Sequence, residues 1–133
     1  MRILSYLLVA LLIFASGCAS DATVRVSKSA LTGSYYSGDG LGRMVYVDLS
    51  PDGTFRSDWQ GCLGVYGEAE GRWEVQGEKI VFTPNTEAGT LAGHLREATT
   101  IIHNGKLGFA RDQDVEGERI HESLVFARQP VSK

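Results

Sequence analysis

The sequence is short of nearly everything that marks catalysis, metal binding or nucleic-acid binding. It holds two cysteines, Cys18 and Cys62, too few for a disulfide framework. No CxxC or HxxxH spacing ties a metal-binding set together. No serine, histidine and acid stand in a motif for nucleophilic catalysis, so the residues do not point to an enzyme and call for no cofactor. Lys and Arg number 13 against 16 Asp and Glu. That balance gives no electrostatic footprint for nucleic acid and excludes it as an expected partner. The apolar run from Ile3 to Ala15 falls short of the ~20 residues a helix needs to cross a bilayer. Beyond residue 30 no stretch of useful length keeps the i, i+3, i+4 apolar spacing of a helix. The nearest, "TLAGHLREATTI", runs into β-branched Thr99-Thr100-Ile101-Ile102, which favours strand.

What is present begins with the amino terminus. Arg2, the apolar run and the small residues that close it read as a signal peptide over 1–17. The closing "ASGC" resembles the bacterial lipobox, with Ala15 where Leu is favoured. The resemblance implies cleavage before Cys18 and lipidation of that cysteine. Ala19, in place of the Asp that retains such proteins at the inner membrane, implies the outer membrane. Removing 1–17 takes away Arg2 and no acid, so the net charge of −3 becomes −4. Membrane attachment then rests on the acyl chains, which exceed the two signals stable anchoring needs. With Cys18 acylated, Cys62 has no partner within the chain.

Residues 18–30 read as a lipidated cysteine and flexible tether, 31–128 as one domain and 129–133 as a tail. Within the domain the pattern predicts eight strands, at about 32–37, 43–49, 54–60, 69–75, 79–83, 92–103, 106–111 and 118–128. Val45, Val47 and Leu49 alternate with Met44, Tyr46 and Asp48, and Gly71, Trp73 and Val75 alternate with Arg72 and Glu74. Such a sheet is wet on one side only. Glu97 and Glu122 fall in phase with apolar neighbours, which implies a bulge or a buried polar pair.

Three connections are tight. "SPDG" at 50–53 suits a type I turn, "QGE" at 76–78 is short, and Asn104-Gly105 is a strong hairpin signal. The others, "GDGLG" at 38–42, "GCLGVYGEA" at 61–69, "PNTEAGTL" at 84–91 and "DQDVEGE" at 112–118, read as wide loops. Alternation along an antiparallel up-and-down meander sends all tight turns to one pole, with both chain ends, and all wide loops to the other. The expected fold is all-β, a roughly eight-stranded barrel. Phe55, Trp59, Trp73, Phe82, Phe109 and Phe126 are expected to fill its interior.

The candidate contact residues follow from that placement. Asp39, Leu41, Cys62, Leu63, Tyr66, Glu87, Asp112 and Asp114 belong to the wide loops. The acids there, with Glu68, Glu116 and Glu118, suit a cationic or basic partner. Cys62, His94 and His121 lie toward the same pole and are candidate metal or thiol residues, since Cys/His/carboxylate sets suit zinc or copper. Against that, a free cysteine is often a small buried hydrophobe. His103 precedes the Asn-Gly turn at the opposite pole and cannot join them.

The run "LTGSYY…VDLSPDGTF…GRWEVQGEKIVFTP" resembles the lipocalin-like small β-barrel domains of bacterial envelope lipoproteins. Gly33, Tyr35, Asp52-Gly53-Thr54-Phe55, Gly71 and Trp73 carry it. The related copper-response envelope lipoproteins carry a CxxC after the first strand, where this chain has "GDGLG", so copper sensing is not implied. The expectation is an envelope lipoprotein whose barrel binds a small ligand or an envelope protein through its wide loops. The alternatives are a metal- or thiol-dependent protein using Cys62, His94 and His121, and an inhibitor of a basic hydrolase.

Overall fold

The computed structural model describes residues 22–115, 117 and 120–131. The chain is all-β: β1 (Ala22–Thr23), one helical turn α1 (Lys28–Leu31), β2 (Gly33–Gly38), β3 (Met44–Leu49), β4 (Thr54–Gly61), β5 (Gly64–Gln76), β6 (Lys79–Gly89), β7 (Glu97–His103), β8 (Lys106–Arg111) and β9 (Phe126–Arg128). From β2 onward each strand pairs antiparallel with the next, and β9 also pairs with β2, closing an eight-stranded barrel. The short β1 lies outside it, against the end of β7.

Closure follows from period-two alternation. Tyr35, Val45, Val47, Leu49, Phe55, Ala69, Trp73, Ile80, Phe82, Ala98, Phe109 and Phe126 are buried, and their neighbours along each strand face outward. Phe55, Phe82, Phe109 and Phe126 touch in series at centroid distances of 5.1, 6.0 and 4.7 Å, and Tyr35 meets Phe109 at 5.0 Å. The expected inward set is therefore the core, with Trp59 half-buried at one end. Aromatic contacts at these spacings add about 0.5–1.5 kcal/mol each beyond burial.

The tight turns share one pole with residues 22–31, Lys28 lying against Gly53 and Arg25 near Gly77. At Asn104-Gly105 both residues take positive φ, 50° and 74°, as a type I′ hairpin requires. Contrary to the expected flexible tether over 18–30, residues 22–31 are built into the fold. Ser27 caps α1 by accepting from the Ala30 N–H, and the turn ends in fully buried Leu31, whose carbonyl accepts the Tyr35 hydroxyl at 2.6 Å. Trp73 Nε1 donates to the Ser50 carbonyl at 3.0 Å, and Lys28 Nζ lies 5.2 Å over the Trp73 ring. This end of the barrel is sealed. The expected signal peptide and Cys18 lie outside the described residues.

The other pole differs from expectation in its detail. Residues 61–69 are no wide loop: β4 and β5 run on to Gly61 and Gly64, so Cys62-Leu63 is a two-residue hairpin tip. Nor is 84–91, because β6 continues to Gly89. The strand expected over 92–103 starts at Glu97, after a turn whose Leu91 and Leu95 are buried. The strand expected over 118–128 shrinks to Phe126–Arg128. Before it, Val115 and Ile120 pack outside the barrel on Ile101, Ala110 and Val125, a second small apolar cluster. Glu97 and Glu122 are exposed, so neither the bulge nor the buried pair is needed.

Candidate functional site

The loop pole gathers two features, an apolar rim and a basic interior. The rim comes from two elements. Asp39 folds the β2–β3 loop by accepting the Leu41, Gly42 and Arg43 N–H groups at 2.9, 3.1 and 3.1 Å. Those bonds, led by that of Leu41, hold its carboxyl below the ordinary range. The fold of the loop leaves Leu41 78 % exposed. Beside it stands the β4–β5 hairpin, with Leu63 at 91 %, Val65 at 56 % and Tyr66 at 42 %. The exposed Cys62 thiol donates to the Leu41 carbonyl at 3.3 Å and joins the two elements. Among the described residues, Val131 is the one further large exposed hydrophobic side chain. Clustering of the other four therefore sets this face apart.

The interior set lies below the rim. Arg43, Ser37 and Arg111 sit at the loop-pole ends of β3, β2 and β8, in phase with Val45, Tyr35 and Phe109, so their side chains start inward. The Arg43 guanidinium carbon lies 5.2 Å over the Trp59 ring. Its Nη1 donates to Ser37 Oγ at 3.1 Å and to the Ser123 carbonyl at 2.7 Å. From the 90–96 turn, which buries Leu91 and Leu95, the His94 ring meets the same indole edge-on at 5.2 Å. Arg111 Nη1 lies 2.9 Å from His94 Nδ1, and its Nε and Nη2 form a fork on Asp114 at 2.6 and 2.9 Å.

The protonation state of His94 follows from that contact. Guanidinium only donates, so Nδ1 accepts and the neutral ring carries its proton on Nε2. Burial first, then the charges of Arg111 and Arg43, hold His94 down to about 4. Burial, then Arg111, also lowers Arg43. Among the described residues, no carboxylate comes within ion-pair distance of Arg43. Arg43 Nη2 and His94 Nε2 are both buried and have no hydrogen-bond partner.

The candidates read from the sequence divide accordingly. Asp39, Leu41, Cys62, Leu63 and Tyr66 come together at the rim. Glu87 instead forms a fork on Arg96 at 2.7 and 2.8 Å and accepts the Gly93 N–H, which pins the 90–96 turn. Asp112 turns away to Lys79 at the foot of β6, at 2.6 Å. Asp114 belongs to the interior set. His121 caps the 3₁₀ turn Glu122–Leu124, accepting the Ser123 N–H. It lines a shallow cleft of about 450 Å³ with Tyr36, Asp39, Glu122 and Ser123. Cys62, His94 and His121 thus occupy three settings, and among the described residues no group of three His, Cys, Asp or Glu side chains is placed to hold a metal ion. Glu116 and Glu118 lie outside the described residues. Sequence reasoning missed Arg43, Arg111 and Trp59 as a set. The signal was a charged residue in phase with an apolar strand face, on two separate strands. Comparison with protein-family models, curated proteins and solved structures finds no match.

Proposed function

We propose that the protein is an envelope lipoprotein whose barrel is a binding module, anchored through Cys18 and engaging a ligand or envelope protein at its loop pole. The observation that carries the reading is the rim. Four of the described large exposed hydrophobic residues lie on two adjoining elements, and the barrel interior behind them is packed with aromatic rings. Exposed apolar area of this kind costs solubility unless a partner covers it. At the opposite pole α1 and Trp73 close the barrel, and among the described residues one large exposed hydrophobic side chain, Val131, stands there alone beside a cleft of about 540 Å³.

Cys62 supplies the test, because its thiol sits at the hairpin tip. A photo-crosslinker attached there should capture a discrete partner from envelope extract. The same crosslinker on Asn104→Cys in a Cys62→Ser background, at the sealed pole, should not. Equal capture from both positions would refute the polarity. Metabolic labelling with palmitate, lost on Cys18→Ser, tests the anchor separately.

A further inference from the structure

We infer that the mouth of the barrel is a binding site for a small oxyanion, a carboxylate or phosphate group, held between Arg43 and His94. The inference deepens the reading of the loop pole as a binding face, yet it rests on different residues from the rim. Three observations combine. Of the buried side-chain nitrogens without partners, two lie at this mouth, Arg43 Nη2 and His94 Nε2, and both are donors, so what they lack is an acceptor. The two side chains flank one indole, Trp59, at 5.2 Å each. The charge is also unbalanced at contact range: Asp114 gives both its oxygens to Arg111, Asp39 spends its Oδ1 on backbone N–H groups, and among the described residues no carboxylate forms an ion pair with Arg43. A buried donor left unmade is costly, more so on a charged group. An anionic oxygen would satisfy both donors and the charge together.

An approach to the site exists. Ser123, whose carbonyl accepts Arg43 Nη1, also lines the cleft of about 450 Å³ on the outer wall. In that stretch β2 keeps β3 on one side but has no strand on the other, because β9 pairs with Tyr35 and Tyr36 but not with Ser37 or Gly38. A single 3₁₀ turn, Glu122–Leu124, therefore separates the cleft from the guanidinium. A small shift of that turn admits a ligand without disturbing the barrel ladder.

The full chain, purified in neutral detergent, is titrated with inorganic phosphate and with acetate at constant ionic strength set by chloride. The readouts are the thermal midpoint and the His94 Nε2–H resonance. The expected result is a saturable rise in midpoint with a shift of that resonance. A response to phosphate alone, or acetate alone, assigns the class. Arg43→Met should weaken the response about tenfold or more, as losing a charged hydrogen bond implies. Arg43→Lys, which keeps the charge without the planar fork, should retain part of it. Leu41→Ser should leave it unchanged, which separates this site from the rim. No response to either anion, or an equal one in Arg43→Met, would overturn the inference and leave water as the acceptor.

Discussion

Arg128 and Arg43 stand at opposite poles of the barrel, each stacked on an aromatic ring, at 5.6 Å over Tyr35 and 5.2 Å over Trp59. Neither is paired with a carboxylate among the described residues. They differ in what their Nη2 atoms do. That of Arg128 donates to the carbonyls of Ala30 and Thr32 and to the Tyr35 hydroxyl, closing the end of α1 where a cation suits the helix dipole. That of Arg43 is buried and donates to nothing. Arg128 Nε is likewise buried without a partner, but the three bonds of its Nη2 tie α1 to the barrel, so the first guanidinium serves the fold. The second is held by two neutral acceptors and Trp59, with one donor unused. On the proposed reading, stability and binding capacity are divided between the two ends of one barrel.

Substitutions sharpen that contrast. The largest loss is expected at the sealed pole: Trp73→Ala should cost about 3–5 kcal/mol in chemical denaturation, by emptying a fully buried site. Next comes Asp114→Asn. Arg111 and Asp114 are each 12 % exposed, so stranding the guanidinium should cost about 3 kcal/mol. If this loss exceeded that of Trp73→Ala, the division of roles would be inverted.

Acid gives a smaller effect of defined sign. His94 is held at about 4 in the folded chain, against an ordinary 6.5, so the unfolded chain takes up the proton first. Its contribution is intact above pH 6.5 and is lost as the pH falls toward 4. The size is on the order of 2 kcal/mol, reduced because solvent still screens part of the ring. Burial is the main cause of this shift; of the charged groups facing the ring, Arg111 and Arg43 add to it and Asp114 opposes it. The slope of stability against pH between those limits should flatten in His94→Gln. An unchanged slope would remove His94 from the buried set. Smallest is Tyr35→Phe, which deletes the hydroxyl bonded to Leu31 and Arg128. About 1 kcal/mol is expected.

Turn chemistry and alternation made the barrel legible before any coordinates. Pro51 and Gly53, Asn104 and Gly105, and the inward phase of Val45, Val47 and Leu49 each carry local rules that the packing does not override. Misreadings arose where glycine sits inside strands. A Cβ on Gly67 would lie 2.6 Å from Thr90 Oγ1, and one on Gly89 would lie 2.0 Å from the Tyr66 carbonyl oxygen. These glycines permit close backbone approach within the sheet, whereas in sequence they read as loop. The excursion before β9 was hidden for another reason. Val115 and Ile120 find their apolar partners on β7 and β8, and contacts between separated segments leave no periodic mark. Arg43 and Arg111 were visible as charges on an apolar phase, yet their convergence on Trp59 needed the closed barrel.

The proposed division of roles depends most on the loop pole being a surface made for a partner and not for the fold. The direct measurement combines stability with crosslinking in Leu41→Ser/Leu63→Ser/Tyr66→Ser, with Cys62 retained for the crosslinker. These side chains are exposed, so the denaturation midpoint should shift by no more than about 0.5 kcal/mol per site, while capture from Cys62 disappears. A variant that unfolds easily, or one that stays folded and still captures the same partner in full, would contradict the account.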